Sequence, residues 1–451
     1  MPSLNFQAIG EIRFLQRQAA SLLLYQSVLK SEVGHAFLEL LQALHHSGDN
    51  SFECLQAYGK WFEVQAAKNI SWQEHLIAQI ITDDNPFSRQ AQNVDFANLS
   101  PTLVDAARHD LQILQSLYQC SGDQLSKWVR TAGQLSAPPV VWHSEKNDVE
   151  ANHELPLRSK LEKLENWSNS LEMLAANYRQ FGCGLFAKYR AFQWRAGKLS
   201  SIPYPDPVKL TELVGYEFQR EALLKNTKFL LAGYPALHVL LYGSRGSGKS
   251  SLVKALLNEF GNRNLRLIEV AKSDLKDLPL IIEQLRGVSQ KFIIFVDDLS
   301  FEEDDDAFKS IKVILEGNVT ARPLNVVVYA TSNRRHLIRE FFEDRPRPRD
   351  GDEVHAWDTV QEKLSFSDRF GLTLTFEPAD QNIYLKIVRH LANQAGINLS
   401  SEDLESRAKE WATRHNGRSG RTARQFVNFL QADLAISGED IGKNQQTVPS
   451  L

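Results

Sequence analysis

Cysteine is scarce in this chain. Cys54, Cys120 and Cys183 are the only three in 451 residues. They stand too far apart for metal-ligand spacing or a disulfide framework. Reduced thiols and a cytoplasmic setting are therefore expected. Long apolar runs are missing too: none approaches the ~20 residues a membrane helix needs, so no membrane partner is expected. Met1-Pro2-Ser3-Leu4-Asn5 leads into mixed polar sequence, without the charged-then-apolar order of a secretion signal. Charge of one sign is not in excess: 51 basic and 55 acidic residues give a net −4. That balance excludes a bulk nucleic-acid signature and leaves only local basic patches open. No repeat period is found.

Apolar residues make up 43% of the chain, which is ordinary for a protein that buries a core. Residues 1–198 are expected to form an all-helical N-terminal domain. Leu15, Ala19, Leu22, Leu29, Val33, Phe37, Leu40 and Leu44 keep helical spacing, and Gly48-Asp49-Asn50 stops it. Ser100-Pro101 suits a helix start. A third stripe runs from Leu157 to Tyr178, after a polar loop containing Pro138-Pro139. The prolines of Ile202-Pro203-Tyr204-Pro205-Asp206-Pro207 mark a linker.

Beyond the linker, short apolar runs alternate with helical stretches. The runs are Leu237–Tyr242, Leu265–Val270, Phe292–Val296, Val326–Ala330 and Leu372–Phe376. Phe292-Ile293-Ile294-Phe295-Val296 has no polar residue, as a strand covered on both faces requires. Residues 199–378 are thus expected to form a three-layer α/β domain around a parallel five-stranded sheet. A helical lid (379–437) follows, opened by an Asp380 cap, and then a flexible tail (438–451). Residues 199–437 are expected to fold alone.

Gly243-Ser244-Arg245-Gly246-Ser247-Gly248-Lys249-Ser250 lies between a strand and a helical stretch that begins at Ser251. That context is what a P-loop needs. Its glycines let backbone N–H groups face phosphates, and the helix N-terminus adds positive potential. Lys249 suits the β- and γ-phosphates of ATP, and the Ser250 hydroxyl suits Mg²⁺. Asp297 ends the most apolar strand, where an acid is costly unless it faces a cation; it suits Mg²⁺ as well. Asp298 follows as the favoured base, with Glu302 and Glu303 as alternatives and a helix cap as the plainer use of an acid there. Asn333 suits orientation of the attacking water, though asparagine also forms turns. Arg369, before the fifth strand, suits a neighbour's ATP or a surface ion pair. Arg421, at a helix start, suits the phosphates from the lid, with Arg424 one turn on.

Gly243–Ser250, Asp297-Asp298, Asn333, Arg369 and Arg421 fall in the order of the AAA+ superfamily: Walker A, Walker B, sensor 1, arginine finger and sensor 2. Leu213-Val214-Gly215-Tyr216 resembles the AAA+ segment that packs near adenine. Gly184–Phe192, Phe295–Glu302, Tyr329–Leu337 and Glu362–Phe376 resemble the bacterial AAA+ family known as domain of unknown function 815. The resemblance covers about residues 180–435. It implies ATP binding and hydrolysis in an oligomer with shared sites, and it names no client.

Three features bear on a client. Ala271–Pro279, where polypeptide-threading relatives carry an aromatic pore loop, has no aromatic residue. Arg334, Arg335, Arg339, Arg345, Arg347 and Arg349 cluster, but acids interleave with them, as in a solvated ion-paired loop. Phe186, Tyr189, Arg190, Phe192 and Trp194 suit packing between domains more than stacking on single strands. The sequence thus describes an ATPase acting on an unidentified protein or nucleic-acid client. A nucleotide switch with little turnover and a DNA-associated loader or remodeller are the alternatives.

Overall fold

A computed structural model describes residues 4–47, 51–144, 155–300, 311, 315, 323–333, 369–415 and 417–437. It divides into two compact units, Met1–Lys188 and Tyr189–Leu451. Glu302, Glu303, Asp368, the arginine cluster from Arg334 to Arg349 and the 438–451 tail lie outside the described residues.

The first unit is helical: α1 (Phe6–Ala20), α2 (Glu32–His45), α3 (Ser51–Lys68), α4 (Trp72–Thr82), α5 (Pro86–Ala91), α6 (Pro101–Gln119), α7 (Gly122–Ala132), α8 (Leu155–Lys163), α9 (Leu171–Phe181) and α10 (Leu185–Lys188). Short polar side chains start several of them. Ser71 and Glu74 form a reciprocal capping box at α4, and Asn85 caps α5. The apolar stripe from Leu15 to Leu44 is not one helix. The Asp110 carboxylate, wholly buried, accepts the backbone N–H groups of Leu23, Leu24 and Tyr25 at 2.7–3.1 Å. An outside acceptor thus replaces the helix's own carbonyls, and Ser31 then caps α2. All three cysteines are buried and free, and burial pushes the Cys120 and Cys183 thiols up to about 12.

The second unit is built on one sheet. Its strands are β1 (Ala191–Arg195), β2 (Lys198–Ile202), β3 (Val239–Gly243), β4 (Leu265–Val270), β5 (Lys291–Val296), β6 (Val326–Ser332) and β7 (Leu372–Phe376). They lie in the order β2-β1-β4-β5-β6-β3-β7, all parallel except the β1–β2 hairpin. Every residue of β6 is buried, and all of β5 after Lys291, as the polar-free runs require. Between the strands run α11 (Glu217–Leu231), α12 (Lys249–Phe260) and α13 (Leu278–Leu285). After β7 come α14 (Gln381–Gln394), α15 (Ser401–Arg414) and α16 (Gly420–Ser437), which share their own apolar core. Asp380 caps α14 through the Ile383 N–H at 2.7 Å. Among the described residues no helix is long and apolar enough to cross a membrane.

Two expectations change here. The sheet has seven strands rather than five, and residues 191–202 belong to it rather than to the helical domain. The expected 198/199 boundary therefore falls inside a hairpin. Phe192 and Trp194 are buried strand residues, and Ala196 (φ 51°) with Gly197 (φ 75°) makes the tight turn. A fragment of residues 199–437 would lack β1 and leave β4, an almost fully buried strand, as a bare edge open to pairing with another copy. We expect that fragment to aggregate while residues 189–437 stay monodisperse by light scattering. Equal behaviour of the two would show that β1 does not protect the sheet.

Candidate nucleotide site

β3 ends at Gly243, and α12 begins at Lys249; the loop between them sits at the carboxyl ends of the parallel strands, where such sheets place ligands. Glycine is required at the loop's start. Gly243 has φ 137°, and a Cβ there would lie 1.9 Å from the Phe376 carbonyl of β7. Gly248, the residue before α12, is left-handed at φ 89°.

The loop turns around Lys249, which is only 6% exposed. Its Nζ donates to the Gly243 and Ser244 carbonyls at 2.9 and 2.8 Å and to Asn333 Oδ1 at 3.2 Å. Burial holds its ammonium below the usual lysine value, against the pull of Asp297 and Asp298, and the charge of Arg421 pushes the same way as burial.

The strand ends supply the acids. The Ser250 hydroxyl donates to Asp297 Oδ1 at 2.6 Å, and the Thr331 hydroxyl donates to the same oxygen. Thr331 Oγ1 in turn accepts the Asp298 N–H at 2.9 Å, which fixes the turn at Asp298, where φ is 53°. Asn333 Nδ2 donates to Asp298 Oδ1 at 2.6 Å. One network thus joins Lys249, Asn333, Asp298, Thr331, Asp297 and Ser250. A hydroxyl and a carboxylate meeting at the loop's exit form a hard oxygen pair of the kind Mg²⁺ takes.

A cavity of about 660 Å³ opens over the loop. Arg245, Gly246, Ser247, Gly248, Lys249, Ser250 and Ser251 line it, as do Val214, Asp297, Asp298, Asn333 and Arg421. Gly243, Ser244 and Gly215 are not on its wall. The first two shape the loop; Gly215, at φ 96°, lets Ile383 of α14 approach where a Cβ would stand 2.9 Å away. Arg369 is not on the wall either. It is half-buried, just before β7, at the end of the sheet away from the loop.

Helices α14 and α16 close the cavity from above. The Arg421 N–H donates to the Gly246 carbonyl at 3.2 Å, which brings the start of α16 onto the loop. Arg424 bonds Glu212 at 2.8 Å, and Lys386 bonds Glu217 at 2.6 Å. Lys386 is the main reason that the Glu217 carboxyl sits at about 2. Sequence reasoning missed Thr331 and Glu212. Two hydroxyls ending an otherwise apolar strand, Thr331-Ser332, were the available signal for the first; nothing in the sequence pointed to the second.

A glycine-rich loop, a neighbouring strand followed by two acids, and two helices from beyond β7 thus meet around one cavity of this α/β unit. Over 136 residues the chain is 29% identical to the Replication factor C large subunit of Thermofilum pendens (strain DSM 2475 / Hrk 5), covering 27% of this chain and 32% of that one. It therefore spans about a third of that relative's length. It is similar in structure to the Thermotoga maritima RuvB Holliday junction branch migration motor, with TM-score 0.36 and 17% identity over 53% of this chain and 69% of that one. For domain III of the Thermotoga maritima replication initiation protein DnaA the TM-score is 0.37 at 17% identity, over 53% and 92%. Residues 187–434, more than half of the chain, match the family described as "Protein of unknown function (DUF815)", and the chain belongs to that family.

Proposed function

We propose that this protein binds ATP with Mg²⁺ and hydrolyses it to ADP and phosphate, acting as an oligomer on a protein or nucleic-acid client. The observation that carries this reading is the single network from Lys249 to Ser250 under one cavity. Ser250 and Asp297 would hold Mg²⁺, which supplies positive charge against the phosphate oxygens. Lys249 binds the terminal phosphates in exchange for the loop carbonyls it now meets. Asp298 takes a proton from the attacking water, and Asn333, already bonded to Asp298, orients that water. Arg421 meets the phosphates from the lid.

Phosphate release by Asp298→Asn tests the assignment of the base. We expect ATP binding to persist and turnover to fall by about 10²-fold or more. Asp297→Asn should weaken Mg²⁺-dependent binding as well. Turnover that survives in Asp298→Asn but is lost in Glu302→Gln or Glu303→Gln would move the base to those residues. One observation favours the second reading, a nucleotide switch with little turnover. Asp298 has a short side chain, and its carboxylate is already held by Asn333 at 2.6 Å. Negligible phosphate release by the unmutated protein, with tight ATP binding, would decide for the switch.

A further inference from the structure

The cavity's lid wall is one face of α16. Arg421, Arg424, Gln425 and Asn428 line it, at positions i, i+3, i+4 and i+7, so they form a stripe along the helix. The stripe has a fixed polarity. At Arg421 the backbone bonds the P-loop through Gly246, which marks the phosphate end. Asn428 is seven residues on, roughly 10 Å along the axis at ~1.5 Å per residue. That rise is comparable to the span from the terminal phosphates of an extended nucleotide to its base.

The surroundings of Asn428 fit a base. Leu213, Val214, Ile387 and Leu391 give the cavity apolar walls suited to the faces of a flat ring. Val214 packs with the core of the lid helices, so this end is built from both the sheet side and the lid. Two charged groups beside it cancel: Arg424 and Glu212 bond each other at 2.8 Å. Asn428 itself is exposed, and no hydrogen bond to another described residue occupies its amide.

We propose that Asn428 is the residue that selects adenine, pairing its side-chain amide with the exocyclic amine and a ring nitrogen of the base. The inference rests on the nucleotide reading above and deepens it. A carboxamide offers one acceptor and one donor side by side, which matches the amine and adjacent acceptor nitrogen of adenine. Guanine offers two acceptors on the corresponding edge, so only half of the amide is matched. An aspartate at this position offers acceptors alone and matches the paired N–H donors of guanine's other edge.

Competition of ATP and GTP against a fluorescent ADP analogue, with Mg²⁺ and the full chain, tests this. The unmutated protein should prefer ATP. Asn428→Ala should reduce the ATP:GTP preference by about tenfold, the scale of one bidentate amide–base pair, with GTP affinity nearly unchanged. Asn428→Asp should move the preference further towards GTP. Asp433→Ala, on the same helix but off the cavity wall, should leave the ratio alone. A ratio within twofold of the unmutated protein's in both Asn428 variants overturns the proposal and leaves the P-loop reading intact. So does an unmutated protein that binds ATP and GTP equally. Absence of any nucleotide binding overturns both.

Discussion

Lys249→Ala should bind ATP at least about 10²-fold more weakly than the unmutated protein, and turnover should disappear with it. The Lys249 ammonium sits beneath the loop, bonded to two loop carbonyls and to Asn333. Charge-assisted hydrogen bonds to phosphate contribute about 1.5–3 kcal/mol each, so losing two costs about 3–6 kcal/mol. The variant also leaves the Gly243 and Ser244 carbonyls without their donor. Isothermal titration with ATP and Mg²⁺ measures the loss directly, and near-normal affinity would sink the P-loop assignment. A pH series gives an independent sign. The protonated amine is the form that meets phosphate, and burial holds its pKa below the usual lysine value. Affinity should therefore begin to fall, as pH rises, earlier than a free lysine would dictate. An affinity flat up to the ordinary lysine range would mean that this ammonium does not carry the binding.

Arg369→Ala should bind ATP almost normally yet lose about 10³-fold in turnover, the scale of an arginine supplied to a neighbour's phosphates. Its position supports action between subunits. β7 runs parallel to β3 with Phe376 beside Gly243, so Arg369, three residues before β7 begins, lies at the far end of the sheet from its own loop. Seven residues separate Arg369 from Phe376, roughly 20 Å at ~3.3 Å per strand residue. No arginine side chain spans that distance. Mixing Arg369→Ala with Lys249→Ala should then restore part of the activity, because an intact loop from one can meet an intact Arg369 from the other. Specific activity of the unmutated protein should rise with its concentration. A mixture that stays inactive, an activity independent of concentration and a fully active Arg369→Ala would together leave Arg369 without a part in turnover.

Much of this was legible in the sequence because the site is local. The glycines, Lys249 and Ser250 are consecutive, and Asp297 and Asn333 close apolar runs whose ends must lie at one edge of a parallel sheet. The strand limits Leu265–Val270 and Leu372–Phe376 agree with the structure to the residue. What failed was non-local or short. The β1–β2 hairpin hid because β2, Lys198-Leu199-Ser200-Ser201-Ile202, is mostly polar, and Phe192 and Trp194 sit close behind a helical stretch. Its turn uses Ala196 at positive φ, where asparagine or glycine would have announced it. The break between α1 and α2 was invisible for another reason: the apolar spacing runs through it unchanged. Only Asp110, more than eighty residues away, shows that the backbone there bonds elsewhere. Thr331 was overlooked because a hydroxyl at a strand end is common, and its use depends on two acids from a different strand.

One backbone hydrogen bond, from Arg421 to Gly246, has a mechanical consequence. It ties the first turn of α16 to the apex of the loop that curls around Lys249, so pulling the lid away deforms that loop. Linkage is reciprocal: if displacing the lid weakens nucleotide binding by some factor, bound nucleotide resists the displacement by the same factor. A load carried on residues 381–437 would then be felt as nucleotide affinity, and loss of the terminal phosphate as slack in the lid.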